Sequence, residues 1–204
     1  MLDSTAESPS TATQSTAPGA LQGGQVWVAH WAVFCVSLVL LQACVRLGQL
    51  AWEAMTMPLS GMQVALTILW VIFNGYGEGY RAFQLRFSPR VVLRAHELAR
   101  DPSPLKVLLA PFYCMNLVYA PKVRLIISWL AVGLIFCAVY AVRQLDQPWR
   151  GIVDMGVVVA LAWGIIAMVY FHLRALRTGQ MPVVAERRRR KSKKAAQDVT
   201  VAAS

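Results

Sequence analysis

The stretch Ile152–Leu173, IVDMGVVVALAWGIIAMVYFHL, decides the class of this protein because it is apolar apart from Asp154 near its start and His172 near its end. A helix needs roughly 20 apolar residues to cross the hydrocarbon core of a bilayer, so the stretch predicts a transmembrane helix. The composition of the whole chain agrees, since 57% of its 204 residues are hydrophobic and its mean hydropathy is +0.48. A typical soluble domain is only about 45–50% apolar. We therefore expect an integral membrane protein.

Three further stretches are apolar and long enough to cross a bilayer. Trp27 and Trp31 open the first of them and Trp52 follows it, as expected of aromatic belts at the two membrane surfaces. The pattern predicts an all-α integral membrane protein whose membrane domain, residues 25–176, contains four transmembrane helices. The predicted spans are residues 27–49, 59–80, 125–142 and 152–173.

The connection 81–124 between the second and third spans contains two further predicted elements. Ser88-Pro89 is a favourable helix start, with serine as the N-cap and proline at the first helical position. The helix after it has one apolar face, which predicts either a helix lying in the membrane interface or a soluble connecting helix. That face comprises Val91, Val92, Ala95, Leu98 and Ala99. The apolar piece Leu105–Ala120 is short for a span, so we expect a re-entrant or surface segment.

Both ends of the chain have the composition of disordered segments. Residues 1–24 are rich in Ser, Thr and Ala and cannot bury enough apolar surface to offset the entropy of ordering. Residues 177–204 form a basic tail that we also expect to be disordered. Its cluster is predicted to bind anionic lipid headgroups or to fix the topology. The cluster comprises Arg187, Arg188, Arg189, Arg190, Lys191, Lys193 and Lys194.

The distribution of basic residues predicts the orientation. With four spans, eight basic residues of the connection and nine of the tail fall on one side, which is 17 of the 20 Lys and Arg in the chain. By the positive-inside rule both termini are then cytoplasmic, in the plasma membrane or a bacterial inner membrane. The same placement argues against nucleic acid as the reason for the net charge of +10, because the basic residues flank apolar segments.

The end of the second predicted span is the best candidate for a functional site. Glu78 is the carboxylate within this span, and such a group usually marks a function or a partner. Arg81 lies three residues on and Asn74 four residues back, so helical spacing predicts a Glu78–Arg81 ion pair with Asn74 on the same face. These three residues are candidates for ion or proton handling. Gly75 and Gly79 predict a close helix contact at this level.

The fourth span also has a face of small residues, formed by Gly156, Ala160 and Gly164. Such a face lets two helix backbones approach closely. Because the third span precedes the fourth at a short distance along the chain and also contains small residues, we expect these two spans to pack as an antiparallel hairpin.

The histidines and cysteines are the remaining candidates for metal or haem ligands. In the four-span topology His30 and His172 lie at a similar depth, where they could ligate a b-type haem or simply be interfacial side chains. His96 is expected to be solvated. The cysteines Cys35, Cys44, Cys114 and Cys137 have no metal-ligand spacing. No cofactor is expected.

The chain has no recognisable catalytic motif, so we do not expect an enzyme. The function that the sequence favours is a non-catalytic scaffold, accessory subunit or assembly factor that binds a membrane protein partner or a second copy of itself. The alternatives are a small oligomeric transporter or channel that uses Asn74 and Glu78, and a haem-bearing redox subunit that uses His30 and His172.

Overall fold

A computed structural model describes residue 21 and residues 23–182, and within these residues the fold is all-helical with no strand. Most of the predicted N-terminal tail and the whole basic cluster 187–194 lie outside the described residues. The elements are α1 (Gly23–Met55), α2 (Gly61–Asn74), a π-helical segment (Gly75–Phe87), α3 (Ser88–Arg100), α4 (Pro104–Leu108), α5 (Ala110–Cys114), α6 (Lys122–Arg143) and α7 (Trp149–Thr178). Three of them, α1, α6 and α7, are long and apolar enough to cross a membrane.

The second predicted span is part of a much longer helix. Ser60 starts it with a capping box, in which its side chain and that of Gln63 each accept from the other's backbone N–H. The backbone stays right-handed helical through Gly75 and through Ser88, so α2, the π-helical segment and α3 are continuous. The sequence predicts that this helix ends near residue 80, but it extends to Arg100, on the order of 60 Å at 1.5 Å per residue. We call these three elements together the long helix.

Helix α7 lies between α1 and the long helix. It is antiparallel to α1, because His172 near its end contacts His30 near the start of α1. It is parallel to the long helix, because Trp70 donates to the carbonyl of Val153 near the start of α7 and Ser88 donates to the carbonyl of Gly164 further along. The start of α1, the end of α3 and the end of α7 therefore lie together. We call this the histidine end.

The small residues of α7 face the long helix. A Cβ atom added to Gly156 would lie 2.6 Å from the indole nitrogen of Trp70, and one added to Gly164 would lie 2.5 Å from the ring of Phe83. The prediction that the third span packs against this face is therefore wrong. Gly133 of α6 has no neighbouring atom within 4 Å of such a Cβ, and no residue of α6 is buried. Sequence spacing identifies a face that permits close approach but does not identify its partner.

The apolar face of α3 is buried inside the protein. All five of its apolar residues are at most 1% exposed, and four of them, Val91, Val92, Ala95 and Leu98, pack with side chains of α1, α5 and α7 in one core. The predicted apolar face is therefore confirmed, while the choice between an interfacial helix and a soluble connecting helix stays a prediction. Helices that are adjacent in space supply the apolar surface against which this face packs.

The segment Leu105–Ala120 is neither a span nor continuous. It forms α4 and α5 and then a turn in which Asn116 and Tyr119 have positive φ values of 60° and 53°. Arg94 of α3 stabilises this turn, because its guanidinium donates to Asn116 Oδ1 at 2.9 Å and to the carbonyl of Tyr119 at 3.1 Å. Its guanidinium also lies 4.6 Å from the ring centre of Tyr113. The connection is thus a packed cap on the histidine end.

We predict that Gly151→Ala destabilises the protein. A Cβ atom at Gly151 would overlap the Ala54 side chain and lie 2.7 Å from the carbonyl oxygen of Leu50, both on α1. Relieving this clash should cost about 1–3 kcal/mol of unfolding free energy. The measurement is the thermal unfolding midpoint in a mild detergent.

The matched control is Gly133→Ala on α6, where the added methyl group meets open space. It gains the same helix propensity, about 1 kcal/mol, without a clash, so its midpoint should stay the same or rise. Equal midpoints for the two variants would mean that α1 and α7 do not approach as closely as described.

Candidate functional site

Asn74 ends α2, and the rest of the Asn74–Arg81 stretch lies in the π-helical segment, where residues three apart do not share a face as they do in an α-helix. The Ser88 N–H donates to the carbonyl of Phe83, five residues back, which is the π pattern. Asn74 points inward, is 4% exposed and donates to the carbonyl of Trp70 at 3.0 Å, whereas Glu78 is exposed. The predicted common face of Asn74 and Glu78 is therefore wrong.

The predicted ion pair between Glu78 and Arg81 is not formed either. Both side chains are exposed, and within the part of the chain that the structure describes they make no salt bridge with each other. The prediction assumed an α-helical turn, in which residues three apart are neighbours. The wider π turn separates them.

The two glycines of this stretch place Glu78 along α7. A Cβ atom on Gly79 would lie 3.3 Å from the Trp163 side chain and 3.7 Å from the Cα atom of Ala160, and one on Gly75 would lie 3.8 Å from Val159. These residues lie in the middle third of α7. The neighbouring carboxylate of Glu78 is therefore level with the middle of α7.

The three histidines of the chain meet at the histidine end, although they come from three different helices. His172 Nε2 lies 3.0 Å from His30 Nδ1, close enough for a hydrogen bond. The ring centres of His30 and His172 are 4.8 Å apart, and those of His96 and His172 are 5.7 Å apart. Trp27 lies edge-on to His30, with a centre distance of 6.4 Å. The sequence predicted the proximity of His30 and His172 but missed His96.

Burial differs among the three rings. His96 is 2% exposed and His172 is 3% exposed, whereas His30 is exposed. The prediction of a solvated His96 is wrong for a reason that the sequence contains. His96 follows Val92 by four residues and adjoins Ala95, so it shares the buried face of α3. Its Nδ1 lies 2.9 Å from the carbonyl oxygen of Val92.

The arrangement of His30 and His172 does not fit a haem. An iron ion bound between two imidazoles holds the two nitrogens about 4 Å apart, at about 2 Å per metal–nitrogen bond. Here the two nearest nitrogens are in direct contact at 3.0 Å, with no room for a porphyrin plane between the rings. Among residues 21 and 23–182, no group of three or more His, Cys, Asp or Glu side chains is arranged to hold a metal ion.

A second buried polar pair lies at the other end of α7. Asp154 is 4% exposed, and its Oδ2 atom has no hydrogen-bond partner within the described residues. The Nε atom of Arg150 is likewise buried there without a partner. Hydropathy does not predict the burial of Asp154, because this carboxylate interrupts an otherwise apolar helix.

No protein-family model matches this chain, and comparisons with curated proteins and with solved structures find no match either.

We predict that the protein loses stability as the pH falls below about 6.5. Burial lowers the pKa of His96 from its usual value of 6.5, so the unfolded chain binds a proton at a pH where the folded chain does not. Folding stability contributed by neutral His96 is thus complete above about pH 6.5 and declines as the pH falls toward the lowered pKa. The measurement is the thermal unfolding midpoint between pH 8 and pH 5. His96→Leu should flatten this dependence, and an unchanged slope in that variant would contradict the explanation.

Proposed function

We propose that this protein is a non-catalytic scaffold, accessory subunit or assembly factor with four membrane spans and both termini in the cytoplasm. Its partner is a second membrane protein, which contacts the outward face of the long helix at Glu78. The observation that carries this proposal is the exposed position of Glu78 level with the middle of α7.

The four-span topology is supported by the direction of the helices. The start of α1, the end of α3 and the end of α7 lie together at the histidine end. The last part of the long helix and the chain after it carry the basic residues of the connection 81–124, and the end of α7 leads into the basic tail, so most of the 17 basic residues can lie on the side of the histidine end. The positive-inside rule makes that side cytoplasmic, where the basic residues also favour anionic lipid headgroups.

The argument for a partner rests on the cost of a carboxylate facing lipid. Charged groups within membrane segments almost always face a bundle interior or a cavity, or pair with another group. Glu78 faces away from α7 and makes no salt bridge with Arg81 within the described residues. A basic or hydrogen-bonding side chain of a neighbouring membrane helix would satisfy this carboxylate. A transporter that uses both Asn74 and Glu78 is less well supported, because the two side chains point in different directions.

Helix α6 offers a second surface for assembly. None of its residues is buried, while α1, α7 and the long helix pack on one another. Its small residues Gly133, Cys137 and Ala141 are spaced four apart and therefore share one face. In a membrane, faces of this kind permit close contact between helices. We therefore assign α6 to contacts outside its own bundle.

Co-purification tests the role of Glu78. Wild type and Glu78→Gln are isolated from native membranes in a mild detergent, and the amount of each stoichiometric membrane partner is measured by mass spectrometry. Loss of one charged contact should lower recovery of the partner about 10-fold, equivalent to about 1.4 kcal/mol of binding free energy. Glu53→Gln is the matched control, because Glu53 is an exposed carboxylate near the end of α1. The amount of partner recovered with Glu53→Gln should equal the amount recovered with wild type.

Two results would contradict the proposal. Equal recovery with Glu78→Gln and with Glu53→Gln would remove Glu78 from the interface. A proton or cation flux in proteoliposomes that Glu78→Gln abolishes would replace the scaffold by a transporter.

A further inference from the structure

The hydrogen positions in the histidine cluster follow from its contacts. The carbonyl oxygen of Val92 can only accept, so Nδ1 of His96 carries the hydrogen, and its Nε2 is the atom to which a proton would add. Between neutral His30 and His172 there is one shared hydrogen, donated by one ring and accepted by the other. Nδ1 of His172 is buried and has no partner within the described residues. The neutral cluster therefore has vacant proton-accepting sites.

The surroundings of the cluster do not compensate an added charge. The charged or titratable groups that act on His96 are Arg100 on its own helix and His30 on α1, and those that act on His172 are His30 and His96. Arg174, two residues from His172 on α7, is exposed and also basic. The nearby carboxylate of α3, Glu97, is bound to Arg94. Among the described residues, the charged or titratable groups that act on the cluster are thus neutral or positive, and a protonated ring meets no unpaired carboxylate there.

Helix α3, which these rings contact, follows a segment of irregular helical geometry. Helix α3 is attached to α2 through the π-helical segment, and π turns are rare and occur frequently at functional sites. Across the interface, α3 contacts α7 through the Ser88–Gly164 hydrogen bond and through His96. Repulsion between charged rings would act directly on this contact, and the π-helical segment can change its hydrogen-bond pattern to absorb the movement.

We propose that His30, His96 and His172 form a proton-binding site that holds α3 against α1 and α7 when neutral and releases it when protonated. His30 is exposed and provides the entry for the proton, which then reaches the buried ring of His172 through their hydrogen bond. The ligand is the proton itself, and the response is the opening of the cap formed by α3, α4 and α5. This site is independent of the partner surface at Glu78.

Hydrogen–deuterium exchange of the full-length protein in lipid nanodiscs tests the proposal. Exchange of α3 amides is compared at pH 7.5 and pH 5.5 after correction for the chemical exchange rate at each pH. Protonation should raise α3 exchange about 10-fold at the lower pH, while α6 amides in the same sample should not respond. His96→Leu should reduce the response to less than about 2-fold, because it removes a proton site and fits the apolar face of α3.

His30→Gln provides a second variant, which changes an exposed side chain and should fold normally. It removes the proton entry and one of the repelling charges, so the response of α3 should again shrink. Nitrogen-15 spectra of labelled histidines should show ring protonation over the same pH range as the opening. The proposal is overturned if wild-type α3 shows no response, if both variants respond as wild type does, or if the rings stay neutral while α3 opens.

Discussion

Close backbone approach along α7 is the constraint on which the rest of the fold depends. Gly151 admits α1, whereas Gly156 and Gly164 admit the aromatic side chains of the long helix. In a membrane there is no hydrophobic driving force between helices, so such packing and a few interhelical hydrogen bonds hold them together. Because α7 is packed on two sides, its two ends bring together groups that are distant in sequence. The histidine cluster at one end is a consequence of this packing.

The same packing also determines which groups remain outward. The long helix turns its glycines toward α7 and so directs Glu78 away from the bundle, while α6 remains without a buried residue. The inner faces of the helices are therefore occupied by contacts between α1, α7 and the long helix and by the histidine cluster. The contacts that we propose with other membrane components lie on the outer face of the long helix and on α6. A proton-responsive cap and a partner surface can coexist because they occupy different faces.

The sequence predicted those features that follow from hydropathy and helical period. Three of the four predicted spans correspond to helices long and apolar enough to cross a membrane, and the period of α3 identified its buried face. The sequence could not predict which helix covers that face, because an apolar face packs equally well against lipid and against the apolar side chains of another helix. The ion pair of Glu78 was mispredicted because spacing rules assume an α-helix, and nothing in the glycines and tyrosines there signals a π turn. His96 could have been placed correctly, since it lies on the apolar face.

The π-helical segment makes the orientation of α3 depend on the number of residues before it. In an α-helix each residue advances the chain by about 100°, so the gain or loss of one residue between Gly75 and Phe87, with the hydrogen-bond pattern of the segment unchanged, would rotate every later side chain of the long helix by a similar angle. His96 and the buried face of α3 would then turn away from α1 and α7. A loop would absorb such a change in length, but a continuous helix transmits it. Substitutions in this segment should therefore be tolerated far better during evolution than insertions or deletions.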